Sequence, residues 1–287
     1  PQDAVLIADG DNFLFPLSYL HNVEGRRPDV RLVLQGINEL SSMTIHPDRQ
    51  GIFFTHHQDL DSADVRQVPR GLVFRLIAAR QEPPPLESWE DWRVPSAEDP
   101  SGQGELDFLA RSLVGDYQLM KAIHYESVNP LLSLEAARAN LAVAPDNPNN
   151  TINSGLLVER NGLLRLALSC YDKALDLDER SEVAKRHRQQ VAERLGRSGS
   201  AEEIRQIVSG SVTAFEAERH DDARRALLQG LARFPASDRL RYNQAALAIM
   251  AGDYVSAGWG LLATLDLKAN DELATRDIAE LQKRLPR

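Results

Sequence analysis

The feature that most constrains this chain is a register of small residues that recurs every ~34 positions through its second half. Residues 148–181 carry it most fully, with Gly155, Gly162, Ala167, Tyr171, Ala174, Leu175 and Leu177. Residues 238–271 place Ala245, Gly252, Asp253, Tyr254, Ala257, Leu261, Leu265 and Leu267 in the same frame. Residues 204–237 fit with Ala214, Ala223, Leu227 and Leu231 and close on Phe234-Pro235. Residues 114–147 fit more weakly, with Ala137, Leu141 and Pro145. The frames form two abutting pairs, and residues 182–203 between the pairs read as an extra helical insert.

The spacing has a physical cause. Each frame reads as two antiparallel helices. Small residues at its eighth and twentieth positions let the backbones approach, and Tyr or Leu at the twenty-fourth fills the space between them. One such unit cannot bury its own apolar face, so neighbours must stack. Period and register match the tetratricopeptide (TPR) repeat. An all-α, TPR-like solenoid is therefore expected over residues 105–287.

Residues 1–95 have a different texture and predict a small α/β domain. Short apolar runs at 4–8, 30–34, 52–55 and 72–77 read as about four strands, largely parallel and covered on both faces. A helix over 13–23 is expected to turn Phe15, Leu17, Leu20 and Val23 inward, ending at Gly25. Residues 81–104 form the boundary: Pro83-Pro84-Pro85 stiffens it, and Trp89 and Trp92 pin it onto one domain.

At 287 residues the chain has room for two domains. Its net charge of −9 argues against a nucleic-acid partner. The single Cys170 excludes an internal disulfide and reads as a small core residue. No apolar run reaches the ~20 residues of a membrane-spanning helix. The chain opens at Pro1 without Met or a leader segment, so it reads as a piece of a longer or processed protein.

Residues 6–33 read LIADGDNFLFPLSYLHNVEGRRPDVRLV. The apolar strand, the Gly10-Asp11-Asn12 turn, Phe15-Pro16-Leu17, Tyr19-Leu20, Glu24-Gly25 and Arg27-Pro28-Asp29-Val30-Arg31 form one pattern. It resembles the soluble C-terminal region of multi-spanning membrane glycosyltransferases related to endoplasmic-reticulum protein O-mannosyltransferases, which also end in TPR repeats. The chain has Phe13-Leu14 and Ser18 where the commoner bacterial form has Asp-Thr and Trp, and Leu32 where it has Val. The resemblance implies a bacterial, extracytoplasmic (periplasmic) accessory domain. In that family the catalytic carboxylate and the lipid-linked donor site lie in a membrane-spanning half. Contact with a membrane would then come only through a preceding region, and this chain alone would not transfer sugar.

Chemistry-bearing residues cluster after two strands. Asp9, Asp11 and Asn12 follow the first, and His56, His57, Asp59 and Asp61 follow the third. Parallel strands would bring both groups to one carboxyl edge, where open α/β sheets bind ligands. Turn and capping chemistry is the leading reading. A sugar or peptide contact through Asp9, Asp11 and Asn12 is the binding alternative. His56 and His57 are weak metal candidates, since neighbours in a strand face opposite ways. Phosphate-loop, dinucleotide, nucleophile-elbow and zinc-protease signatures are all missing, so no cofactor is expected and no catalytic residue is assigned. The run Lys185-Arg186-His187-Arg188 in the insert reads as a solvated face.

Asn153 and Asn243 share the sixth position of their frames, with Ser209 at that position between them. A side-chain amide there can both donate to and accept from a peptide backbone. The favoured function is thus an accessory domain that holds a protein acceptor or partner through the repeat groove. The alternatives are a free-standing, cytoplasmic TPR adaptor of a multiprotein complex and a metal-dependent hydrolase.

Overall fold

The apolar run near the start of the chain becomes β1 (Val5–Ala8), an interior strand of a five-stranded sheet. The computed structural model describes residues 2–34, 51–55, 63–70, 73–81 and 108–286. The sheet order is β2-β1-β3-β5-β4, with β2 at Arg31–Leu34, β3 at Ile52–Phe54, β4 at Val65–Arg70 and β5 at Val73–Ala78. β1 pairs in parallel with β2 and β3, in the registers Val5↔Arg31 and Val5↔Ile52. Strands β3, β5 and β4 run antiparallel to one another in turn, so the sheet is mixed. Ile7, Val33, Phe54 and Ile77 form its buried centre.

The antiparallel half departs from the largely parallel sheet expected: only two residues separate β4 from β5, too few for a parallel crossover. Two further expectations change here. β4 was not foreseen, because its sequence VRQVPR carries Arg66, Arg70 and Pro69. Charge and proline are how an edge strand avoids pairing further, and they also make it read as a loop. The second change is the rotation of α1 (Asp11–Asn22). Phe13 is the buried residue, at 8% exposure, whereas Phe15 (66%), Leu20 (40%) and Val23 (69%) face outward and Leu17 is only half-buried. Gly10, at φ 80°, starts the helix two residues earlier than its apolar content implies. Phe13 and Leu17 then share the inner stripe, and Phe15 and Tyr19 fall on the other side. Before β2, Arg27 donates twice to the Asp29 carboxylate, at 2.8 Å each, and holds that carboxyl down at about 2.

The chain divides into two units, Pro1–His124 and Tyr125–Arg287. Helix α2 (Phe108–Tyr125) closes the first. Residues 82–107, with Trp89, Trp92 and the prolines, lie outside the described residues.

The second unit is a solenoid-like row of helices: α3 (Pro130–Val143), α4 (Pro148–Arg160), α5 (Leu164–Leu177), α6 (Glu182–Gly196), α7 (Ala201–Glu216), α8 (His220–Arg233), α9 (Asp238–Met250), α10 (Tyr254–Leu267) and α11 (Glu272–Leu281). The helix pairs α4/α5, α7/α8 and α9/α10 fall on the three clearest 34-residue frames, α7 starting three residues early. The insert becomes α6. Local sequence fixes the starts. Asn129 and Asn147 each precede a proline at the first helical position and accept two backbone N–H groups. Ser200 and Glu203 form a reciprocal capping box that starts α7. Gly162 and Gly252, at φ 86° and 75°, turn α4 into α5 and α9 into α10. A Cβ at Gly155 would lie 2.8 Å from the fully buried Tyr171 ring, which is the small-against-large pairing expected of those positions. Cys170 sits beside it, 3% exposed, its thiol pushed up to about 11 by burial.

The row also returns on itself. Helix α10 packs on α9 and α11, and in addition on α3 and α5. Gly258 lets it approach Pro130, where a Cβ would come within 3.0 Å of the ring. Trp259 Nε1 donates to the Glu126 carbonyl (2.9 Å), and Asn129 Nδ2 donates to the Pro286 carbonyl (2.6 Å). Asp266 accepts the N–H groups of Arg165 (2.7 Å) and Leu166 (3.0 Å). It thereby caps α5, whose own N-cap residue Leu163 offers no side-chain bond.

Burial pushes the Asp266 carboxyl above its ordinary range, against the pull of the two N–H groups. The two bonds, more than the charge, are therefore the stabilising part. Asp266→Ala is expected to lower stability by about 1–2 kcal/mol, as loss of a capping side chain does. Asp266→Asn keeps one of the two acceptor oxygens and sheds the cost of burying a charge, so it should lose less stability than Asp266→Ala. Equal losses in both variants would show that the remaining bond contributes nothing without the charge.

On α2, burial raises the Asp116 carboxyl from 3.8 to about 6. The folded chain then holds this proton more tightly than the unfolded one, so stability falls as pH rises from about 4 to about 6. Asp116→Asn should stabilise the protein at pH 7 by up to about 3 kcal/mol, and the gain should vanish near pH 4. Paired denaturant melts at the two pH values measure this.

Candidate functional site

Strands β1 and β3 run parallel, so their carboxyl ends share one edge, and the described polar groups there bond to one another. Thr55 at the end of β3 is 5% exposed; its Oγ1 accepts the Asp9 N–H (2.9 Å) and lies 3.3 Å from the Asp9 carbonyl, to which it donates. Asp9 Oδ1 accepts the N–H of Gly10 (2.8 Å). The Asp9 carboxylate thus supports its own turn. Asp11 and Asn12 are the first two residues of α1. His56, His57, Asp59 and Asp61 lie outside the described residues. Among the described residues, no three His, Cys, Asp or Glu side chains gather closely enough to hold a metal ion.

The two candidate asparagines, Asn153 and Asn243, stand on different helices. Asn153 is exposed on α4. Asn243 is half-buried on α9 and donates its amide to the Arg239 carbonyl one turn back (2.8 Å). One amide N–H is taken up within its own helix, leaving the second N–H and the acceptor oxygen through which Asn243 would meet a peptide. Ser209 is exposed on α7.

The basic run of α6 is not uniformly solvated. Lys185 pairs with Glu182 and Arg188 with Asp172 at the surface. His187 turns inward instead, with Nδ1 2.9 Å from Glu159 and its ring 5.6 Å from that of Tyr171. Helical spacing explains this: His187, Val191 and Arg194 share the stripe that faces α4 and α5.

A recess that sequence reasoning missed lies where α7, α8, α9 and α10 meet. It encloses about 290 Å³. Phe215, Leu227, Leu247 and Met250 supply its apolar wall, and His220 and Arg224 stand at its edge. The Phe215 and His220 rings approach to 4.6 Å, and Met250 is 63% exposed. Glu218, at φ 59°, makes the tight turn that brings the end of α7 over the start of α8. Such a recess can take one large apolar side chain, with the unbranched Met250 adapting to its shape. The available signal was a large apolar residue in the last turn of α7 and of α9. The repeat pattern weights the helix-facing positions and passes over these.

A comparison with protein-family models returns no match, and a comparison with curated proteins likewise returns none.

Proposed function

We propose that this chain is a protein-binding module whose helical unit is a TPR-type repeat array holding an extended segment of a partner or acceptor protein. The observation that carries this reading is the open apolar recess at Phe215, Leu247 and Met250. An exposed methionine over an apolar wall fits an anchoring side chain better than it fits a small polar substrate. Asn153 and Asn243 are the main-chain contacts in this reading, and Asp9, Asp11 and Asn12 a lesser polar site.

We further propose that the chain serves as the extracytoplasmic accessory part of a membrane glycosyltransferase. The resemblance in residues 6–33 supports this, together with the placement of its apolar members. Phe15, Tyr19 and Leu20 lie on the outward face of α1, with Val23 just beyond, where they are available to a further part of the same protein. Catalysis then resides in that further part. A gene encoding several membrane spans upstream of Pro1 is what this reading expects, and an upstream region without them contradicts it.

The binding function is tested by selecting displayed peptides on the immobilised full chain. Selected sequences should converge on a large apolar residue. Met250→Glu should weaken their binding at least tenfold, about 1.4 kcal/mol, without lowering the melting temperature, because the residue is exposed. Arg186→Glu on α6 should leave binding unchanged. Failure to select any peptide, or indifference to Met250→Glu, would remove the recess as the anchor.

A further inference from the structure

A second cavity, of about 410 Å³, lies in the helical unit between α4 and α6 on one side and α8 and α9 on the other. Arg194, Arg197 and Arg241 line it, with Glu159 and Glu193. The two carboxylates do not balance the three arginines in kind. Glu159 is engaged by the Tyr171 hydroxyl (2.8 Å), by His187 (2.9 Å) and by Arg194 (3.2 Å), so its lone pairs already serve three partners. Glu193 accepts from Gln189 (3.0 Å). Arg197, at the mouth, is exposed.

Arg241 is the unusual residue. It sits in the first turn of α9, and its guanidinium lies against Gly162, where a Cβ would come within 3.0 Å of Cζ and Nη1. Its Nε is buried without a hydrogen-bond partner, and no carboxylate among the described residues pairs with it. Burial, and then the like charge of Arg194, push it down to about 10. A half-buried guanidinium whose chief charged neighbour is another guanidinium is costly to keep. The planar fork of arginine is matched by two oxygens of a carboxylate or phosphate, and such a group would pair the charge that Arg241 brings to the cavity wall.

We propose that this cavity is a binding site for a small oxyanion, a phosphate or a carboxylate, held by the fork of Arg241 and by Arg194, with Arg197 guarding the entrance. The site is separate from the apolar recess and independent of the protein-binding reading. Gly162 serves it directly: any side chain there would displace the guanidinium.

The test is calorimetric titration of the full chain with inorganic phosphate and, separately, with acetate, at constant ionic strength. Saturable binding of either anion supports the site, and the tighter of the two identifies the group it takes. Arg241→Met should weaken that binding at least tenfold while leaving the melting temperature of the ligand-free protein unchanged or raised, because it removes an unpaired half-buried charge. Arg197→Ala, at the exposed mouth, should leave the melting temperature unchanged and weaken binding severalfold even if Arg241→Met does not fold. Absence of saturable binding at millimolar phosphate and acetate overturns the proposal. So does binding that both variants leave intact.

Discussion

Helix α10 is enclosed by other helices of its unit, and the helical unit depends on that enclosure. A row of stacked helix pairs normally gives each pair contacts only with its neighbours. Here the last pair also reaches the first, through Gly258 on Pro130, Trp259 on the Glu126 carbonyl and Asp266 on the start of α5. The exchange is reciprocal. Helix α10 needs α3 and α5 to bury a sequence, YVSAGWGLLATLDL, that has no polar face wide enough for solvent. Helix α5 needs α10 because its own first turn has no capping side chain.

This closure bears on function. A flexible row could adapt its groove to a partner at the cost of ordering itself on binding. A row fixed end to end presents its recesses ready-made, and less of the binding energy is lost to ordering. The apolar recess is framed partly by the first turn of α10 and the arginine-lined cavity by the first turn of α9, so both are held by the pair that closes the unit.

How much of this the sequence disclosed follows from the range of each interaction. Gly155 against Tyr171 and the turns at Gly162 and Gly252 are contacts within one helix pair, and a repeating register exposes them. The strands β1 and β3 were legible as continuous apolar runs, and β2 and β5 as apolar runs broken only by Arg31 and Arg75. Strand β4 was hidden by the charges and proline that protect an edge. The rotation of α1 was misjudged because Phe13, Phe15, Leu17 and Leu20 offer two competing apolar stripes, and only the turn at Gly10 decides between them. Asp266 capping α5 and Arg241 resting on Gly162 join residues far apart in the chain, and no local pattern announces them. At the candidate sites, Asp9 was legible as a turn residue. The recess at Met250 was not, because it belongs to the ends of four helices at once.

The central claim is that α10 holds the helical unit together, and native-state hydrogen exchange tests it most directly. The account predicts that the amides of Ala257 through Thr264 exchange only when the whole unit unfolds, later than those of the more exposed α7. If the α10 amides exchanged as early as those of α7, the C-terminal pair would be opening on its own, and the closed arrangement could not be what organises the unit.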